Sequence, residues 1–191
     1  PPANPRKVVF YSRQGLLPRV RGRTGSRPNR FFTCAAIRRM IAEKPMRLRL
    51  SDVFQLLDKE LFTAYGAAFD WAAVRTTPAD PAKQLRQAIR NAKYGDGPDG
   101  ELIWQTVLVE IFPVARDLYL NLSLDERRRF YRNFTTAFFM HAATQPVLNA
   151  QKLLALIEGG FVRVERLGRD YRLHREPSGG YQFRYRDPQG S

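Results

Sequence analysis

From Thr33 to Glu158 the apolar residues return every three or four positions, and from Phe161 onward they return every second one. A chain patterned this way is built mainly from helices and closed by short strands. Thr33 is a side-chain cap for a helix to about Glu43, with Ile37, Met40 and Ile41 on one face. Ser51 is placed to cap the next helix, where Val53, Leu56, Leu57, Leu61 and Phe62 keep helical spacing. Asp80-Pro81 pairs an N-cap with a proline at the first helical position and opens a helix to about Lys93. The segment "YGDGPDG", residues 94–100, is a turn between helices. Helical spacing resumes from Leu102 to about Leu120, with Pro113 expected to kink or split it. Ser123 and Glu126 form a capping-box pattern opening one long helix to about Met140. Pro146 starts the last helix, and Gly159-Gly160 stop it.

The runs "FVRVERL", "DYRLHRE" and "YQFRYRD" alternate, which predicts three short antiparallel strands with the last turn at Gly179-Gly180. At the other end, Lys7 to Tyr11 is a short two-sided apolar strand of the kind buried in parallel sheets, and no parallel partner is evident for it. The expected architecture is therefore mainly α. It divides into residues 1–30 (a Rossmann-type strand plus an arginine-rich loop), a helical domain over 31–160, and an antiparallel β meander over 161–191.

Charge is concentrated at the start. The 191 residues carry a formal charge of +14, with 26 of the 32 basic residues arginine. Residues 1–49 hold 13 basic and 1 acidic side chain, residues 50–160 hold 12 and 13, and residues 161–191 hold 7 and 4. Arginine offers a planar fork that grips phosphates and carboxylates in bidentate fashion, so this quarter of the chain expects an anion. A hydrophobic fraction of 43% excludes a disordered tail. No apolar run approaches the roughly 20 residues of a membrane span, and a lone Cys34 forms no internal disulfide. With no secretory signal pattern at the start, a cytoplasmic setting is expected. Two histidines and one cysteine argue against a metal site.

At "VVFYSRQGLLPRVRG" the chain resembles the second dinucleotide-binding unit of a family of bacterial FAD-NAD(P)-binding flavoproteins, two-Rossmann proteins related in plan to flavin monooxygenases and glutathione-reductase-like enzymes. In that family a strand ends in Ser-Arg-x-Gly-Leu-Leu-Pro and a helical segment follows. The stretches "LRLSDVFQLLDKEL", "DWAAVR", "WQTVLVEIFP", "LSLDERRRFYRNF" and "QPVLNAQKLLALIEGGFVRV" are similar too, so the resemblance runs from about residue 7 to 167. The family's two glycine-rich nucleotide turns precede the Ser-Arg strand and are not read here, and neither is its closing Ala-Thr-Gly strand. The chain is thus expected to be an internal piece of a larger protein, inactive alone.

The resemblance implies an FAD- and NADPH-dependent oxidoreductase, with monooxygenase chemistry as an extension by analogy. A residue at the end of the second Rossmann strand meets the adenosine ribose: a carboxylate there pairs with the 2′-hydroxyl of NAD, whereas Arg and Ser accommodate the 2′-phosphate of NADP. Ser12 and Arg13 occupy that place, and Arg19 and Arg21 complete the candidate cofactor-binding set, with Arg23 nearby. FAD and the rest of NADP(H) are left to domains outside the chain, and no catalytic side chain is assigned. The helical region becomes a cap, substrate or subunit surface.

The competing expectation is a non-enzymatic basic helical module that binds nucleic acid or an acidic partner, using the arginines with Phe31 and Phe32 as stacking rings. Against it, no helix-turn-helix, zinc-finger or RNA-recognition signature is present. The remaining distinctive residues have plainer readings. His141 is a helix-end or packing residue, His174 lies in a strand, and Cys34 is a small buried hydrophobe. Arg127, Arg128, Arg129 and Arg132 form a solvated or salt-bridged helix face, and Trp71 and Trp104 are core anchors.

Overall fold

A computed structural model describes residues 7–72, 80–168 and 170–185. "DWAAVR" is therefore described only as far as Ala72. Strand β1 (Val8–Ser12) leads through a long loop to helices α1 (Cys34–Glu43), α2 (Leu50–Tyr65), α3 (Pro81–Tyr94), α4 (Ile103–Asn121), α5 (Leu124–Asn133), α6 (Thr135–Ala142) and α7 (Val147–Glu158). Strands β2 (Val162–Arg166), β3 (Tyr171–Arg175) and β4 (Tyr181–Tyr185) follow. The fold is mainly α, as the spacing predicts.

Local signals set several boundaries. Thr33 Oγ1 accepts from Ala36 N at 3.1 Å, and Asp80 Oδ1 accepts from Ala82 N and Lys83 N, so both expected caps are formed. Three boundaries depart from expectation. The N-cap of α2 is Arg49 rather than Ser51, because the Asp52 carboxylate accepts from Arg49 N and Glu126 Oε2 accepts from Leu50 N, which starts the helix two residues earlier. Glu126 thereby joins α5 to α2 and does not close the capping box, although Ser123 Oγ still accepts from Glu126 N. Pro113 lies inside α4 without splitting it. The expected long helix from Leu124 breaks instead at Phe134, whose backbone leaves helical geometry while its ring packs against Phe54 and Phe130.

The larger correction concerns the strands. β1 is not alone: it pairs in parallel with β2, with Val8 opposite Val162 and Ser12 opposite Arg166. The expected three-stranded meander is therefore one strand of this pair plus the β3–β4 hairpin, in which Tyr171 faces Tyr185. Alternation shows that a strand has one covered face; it does not name the neighbour. Nor is β1 buried on both sides, since Val8, Phe10 and Tyr11 are each about half exposed. The hairpin meets the pair through Tyr11 and Phe183, whose rings stack at 4.5 Å.

Two apolar clusters carry the helices. In the larger, Ile37, Leu57, Leu61, Val107, Ile111 and Val114 bring α1 and α2 onto α4. In the smaller, Leu85, Ala88 and Ala92 of α3 meet Ala150 of α7, and the loop adds Leu17 and Val20. Leu17 and Val20 are thus core residues supplied by a segment of loop composition. Gly22 follows them where loop and helices nearly touch: a Cβ there would lie 2.5 Å from Leu102 Cδ1 and 3.1 Å from Ala92 Cα. Gly22→Ala is expected to cost about 1–2 kcal/mol by overpacking, measured as a shift in the urea midpoint at unchanged slope.

Candidate functional site

The strand register sets Arg166 opposite Ser12, so both lie at the carboxyl ends of two parallel strands. Backbone pairing continues past the strands, with Leu167 N donating to Ser12 O at 2.9 Å and Gly168 N to Arg13 O at 3.1 Å. Ser12 Oγ accepts from Gly15 N at 2.8 Å, and Gly15 makes this turn at φ +64°. That bond occupies an acceptor position of the hydroxyl and leaves its hydrogen free to donate. Arg13 and Arg166 are exposed and have no salt-bridge partner among the described residues. A hydroxyl donor and two guanidinium forks at the carboxyl end of a parallel pair suit an anion with several acceptor oxygens.

The other two expected site residues have different surroundings. Arg19 N donates to Met140 O, Gln145 N donates to Arg19 O, and Arg21 N donates to Gln145 O. Arg21 is exposed and its Nε reaches Thr144 Oγ1 at 3.4 Å. Arg19 is largely covered, and burial lowers the pKa of its guanidinium. Ser12 and Arg13 are bonded to residues 15, 167 and 168, whereas Arg19 and Arg21 are bonded to the end of α6 and the turn that follows it.

The arginine loop is held along its length, chiefly by α4. Gln105 Nε2 donates to Val20 O, and Gln105 Oε1 accepts from Gly22 N. Leu102 N donates to Arg23 O, Thr106 Oγ1 accepts from Gly25 N, and Glu110 Oε2 accepts from Asn29 N at 2.6 Å. The buried Glu60 of α2 finishes the series: its Oε2 accepts from Arg30 N, Phe31 N and Phe32 N at 2.8, 2.7 and 3.2 Å. Sequence reasoning missed this set. Its signal is Gln105, Thr106 and Glu110, polar positions on one side of the otherwise apolar first half of α4. Phe32 is buried, and Lys59 Nζ lies 4.0 Å from the centre of the Phe31 ring, so the two phenylalanines are occupied within the fold.

A second feature is a cavity of about 500 Å³ between α2, α4, α5 and α6. Phe54, Trp71, Trp104, Phe134 and Phe138 supply much of its wall, and Trp71 meets both Phe54 and Trp104 edge-on, the latter at 5.8 Å. The tryptophans anchor helices, as expected, and also line this space. His141, in the last turn of α6, is buried and stacks on Trp104 at 4.6 Å. Burial first, and the Arg19 charge second, hold its pKa down at about 4, so the imidazole is neutral at pH 7. His141 Nε2 and Arg19 Nε are both buried without a hydrogen-bond partner. His174, by contrast, is exposed on β3, and the Cys34 thiol donates to Glu110 O. The arginines of α5 are surface residues with local partners, Arg128 on Asp125 and Arg129 on Glu126. Among the described residues no cluster of metal-ligating side chains occurs, and no helix is long and apolar enough to cross a membrane.

No protein-family model matches the chain. The chain is similar to an uncharacterized protein, YdhS, of Escherichia coli (strain K12), at 25% identity over 105 residues. That match takes in 55% of this chain and 17% of the relative, so the chain corresponds to a small part of a much longer protein.

Proposed function

We propose that these residues form the NADP 2′-phosphate edge and the helical, substrate-side part of an FAD- and NADPH-dependent oxidoreductase. The observation that carries this reading is the strand tip, where Ser12 is held by Gly15 and faces Arg166 across the parallel pair, with Arg13 next in the chain, while the one carboxylate at the end of β2, Glu165, is taken up by Arg163 and the Tyr185 hydroxyl. In this role the Ser12 hydroxyl donates to one phosphate oxygen while Arg13 and Arg166 neutralise the dianion. An NAD ribose, lacking that phosphate, gains nothing from them.

The pyrophosphate and FAD belong elsewhere in this reading. The spacing G-x-G-x-x-G does occur once, at Gly95 to Gly100, contrary to the expectation that no such turn is present. It joins α3 to α4 rather than a strand to a helix, and its donors are already taken: Asp96 N and Gly97 N donate to Glu101 O, Gly100 N to Gly97 O and Asp99 N to Glu101 Oε2, while Asp96 Oδ1 accepts from Ile103 N at the start of α4. A phosphate is repelled from such a turn. After β1 the first described helix begins only at Cys34, so no helix N-terminus follows the strand closely enough to take a pyrophosphate. The described residues therefore do not fit FAD. The flavin and the nicotinamide supply the redox chemistry in such an enzyme. The contribution of this chain is binding and selection of the carrier.

Calorimetric titration of NADP⁺ and NAD⁺ into the whole natural protein that contains this chain tests the reading. NADP⁺ is expected to bind more tightly. Arg13→Ala removes a charge-assisted contact worth about 2 kcal/mol and is expected to weaken NADP⁺ about 30-fold while leaving NAD⁺ unchanged. Equal affinities for the two carriers, or duplex DNA binding that falls log-linearly with salt in the absence of NADP⁺ binding, overturns it in favour of the basic module.

A further inference from the structure

The cavity beside His141 goes beyond the carrier-binding reading and stands without it. Its volume of about 500 Å³ falls within the roughly 300–1,000 Å³ typical of small-molecule sites. Its walls are aromatic and aliphatic, and among the described residues no acidic side chain lines it and Arg116 is the one permanent charge in the lining. One wall residue, His141, has its Nε2 buried without a partner, and Arg19, which lies outside the lining but close enough for its charge to act on His141, has a second buried unpartnered nitrogen, Nε. The Arg19 backbone is held behind His141, bonded to Met140, the residue before it, and to Gln145. Leaving two such groups buried and unpaired is costly, and buried polar groups are as a rule satisfied.

We propose that this cavity is a binding site for an apolar monocarboxylate, its hydrocarbon or aromatic body among the rings of Phe54, Trp71, Trp104, Phe134 and Phe138 and its carboxylate between Arg19 and His141. A carboxylate has two acceptor oxygens for the two orphaned nitrogens. The imidazole, carrying its proton on Nε2, donates to one oxygen, and the Arg19 Nε–H donates to the other. An alcohol of the same length offers a single oxygen rather than two and brings no charge to Arg19. A cationic amphiphile is rejected by Arg19 and Arg116 together.

Trp71 and Trp104 are the two tryptophans of the chain and both line the cavity, so intrinsic fluorescence reports its occupancy. The 191-residue chain is titrated with dodecanoate and with dodecan-1-ol, each below its aggregation limit. Dodecanoate is expected to change tryptophan emission saturably and to bind at least tenfold more tightly than the alcohol. In Arg19→Gln that preference is expected to fall to within twofold, whereas Arg116→Ala retains it. Ala115→Phe places a ring in the cavity and is expected to weaken both ligands at least tenfold while thermal unfolding stays cooperative. The comparison of the two ligands on the unaltered chain depends on no variant. An emission that dodecanoate leaves unchanged, or equal affinity for acid and alcohol, overturns the proposal. So does a preference lost in Arg116→Ala and kept in Arg19→Gln.

Discussion

Glu60→Leu is expected to destabilise the chain by about 3–5 kcal/mol, the largest effect of any single substitution considered for this fold. Glu60 is completely buried, and one of its carboxylate oxygens accepts all three backbone N–H groups of residues 30–32. The other oxygen has no hydrogen bond and lies 3.8 Å from Arg27. Leucine keeps the volume and removes every acceptor, so Phe32 N is left buried and unpaired just where Phe32 enters the core. Arg27 contributes far less, because its side chain is 42% exposed and exposed pairs are worth under about 1 kcal/mol. Urea denaturation of Glu60→Leu beside Arg27→Ala separates the two contributions. A loss below about 1 kcal/mol in Glu60→Leu means that water replaces the carboxylate and that the loop is not held from α2.

His141 sets the second large effect, and it depends on pH. Burial and Arg19 hold its folded pKa at about 4, below the ordinary value of 6.5. The unfolded chain therefore takes up the proton first as pH falls. Stability from this group is fully present above about pH 6.5 and is lost on acidification, down to about pH 4. Integrated over that window the loss is about 3 kcal/mol. His141→Phe keeps a ring against Trp104, removes the unpartnered Nε2 and removes the titration. Its melting temperature is expected to vary much less between pH 7 and pH 4.5 than that of the unaltered chain. Identical pH profiles for the two proteins would assign the acid sensitivity to the carboxylates instead.

Much of the helical layout was legible because the signals are local. Thr33, Asp80-Pro81 and Gly159-Gly160 act within one turn of themselves, and a reader of the residues sees the same hydrogen-bonding options that the chain sees. The errors arose where a distant group decided the outcome. Ser51 loses the capping position because Asp52 and Glu126 satisfy the donors of Arg49 and Leu50, and Glu126 is brought there by tertiary packing. Phe134 interrupts an otherwise regular helix because its ring has partners on α2 and α5. The partner of β1 lies in "FVRVERL", whose alternation fits a parallel neighbour as well as an antiparallel one. Of the four residues expected to form one anion site, Ser12 and Arg13 sit at a strand tip as anticipated, whereas spacing alone gave no sign that Arg19 turns inward toward His141. The cavity escaped notice for the same reason: aromatic residues on helical stripes look like core until the helices are placed.

The parallel pair also has a consequence in time. On the ribosome, Val8, Phe10 and Tyr11 emerge about 150 residues before the strand they pair with. At about 5–20 residues per second, that leaves the first strand waiting on the order of ten to thirty seconds with three bulky apolar side chains uncovered. The helices between can condense on one another meanwhile, since their contacts are nearer in sequence. This strand is thus among the last parts of these residues to be secured, and the nascent chain carries an open β-edge throughout that interval.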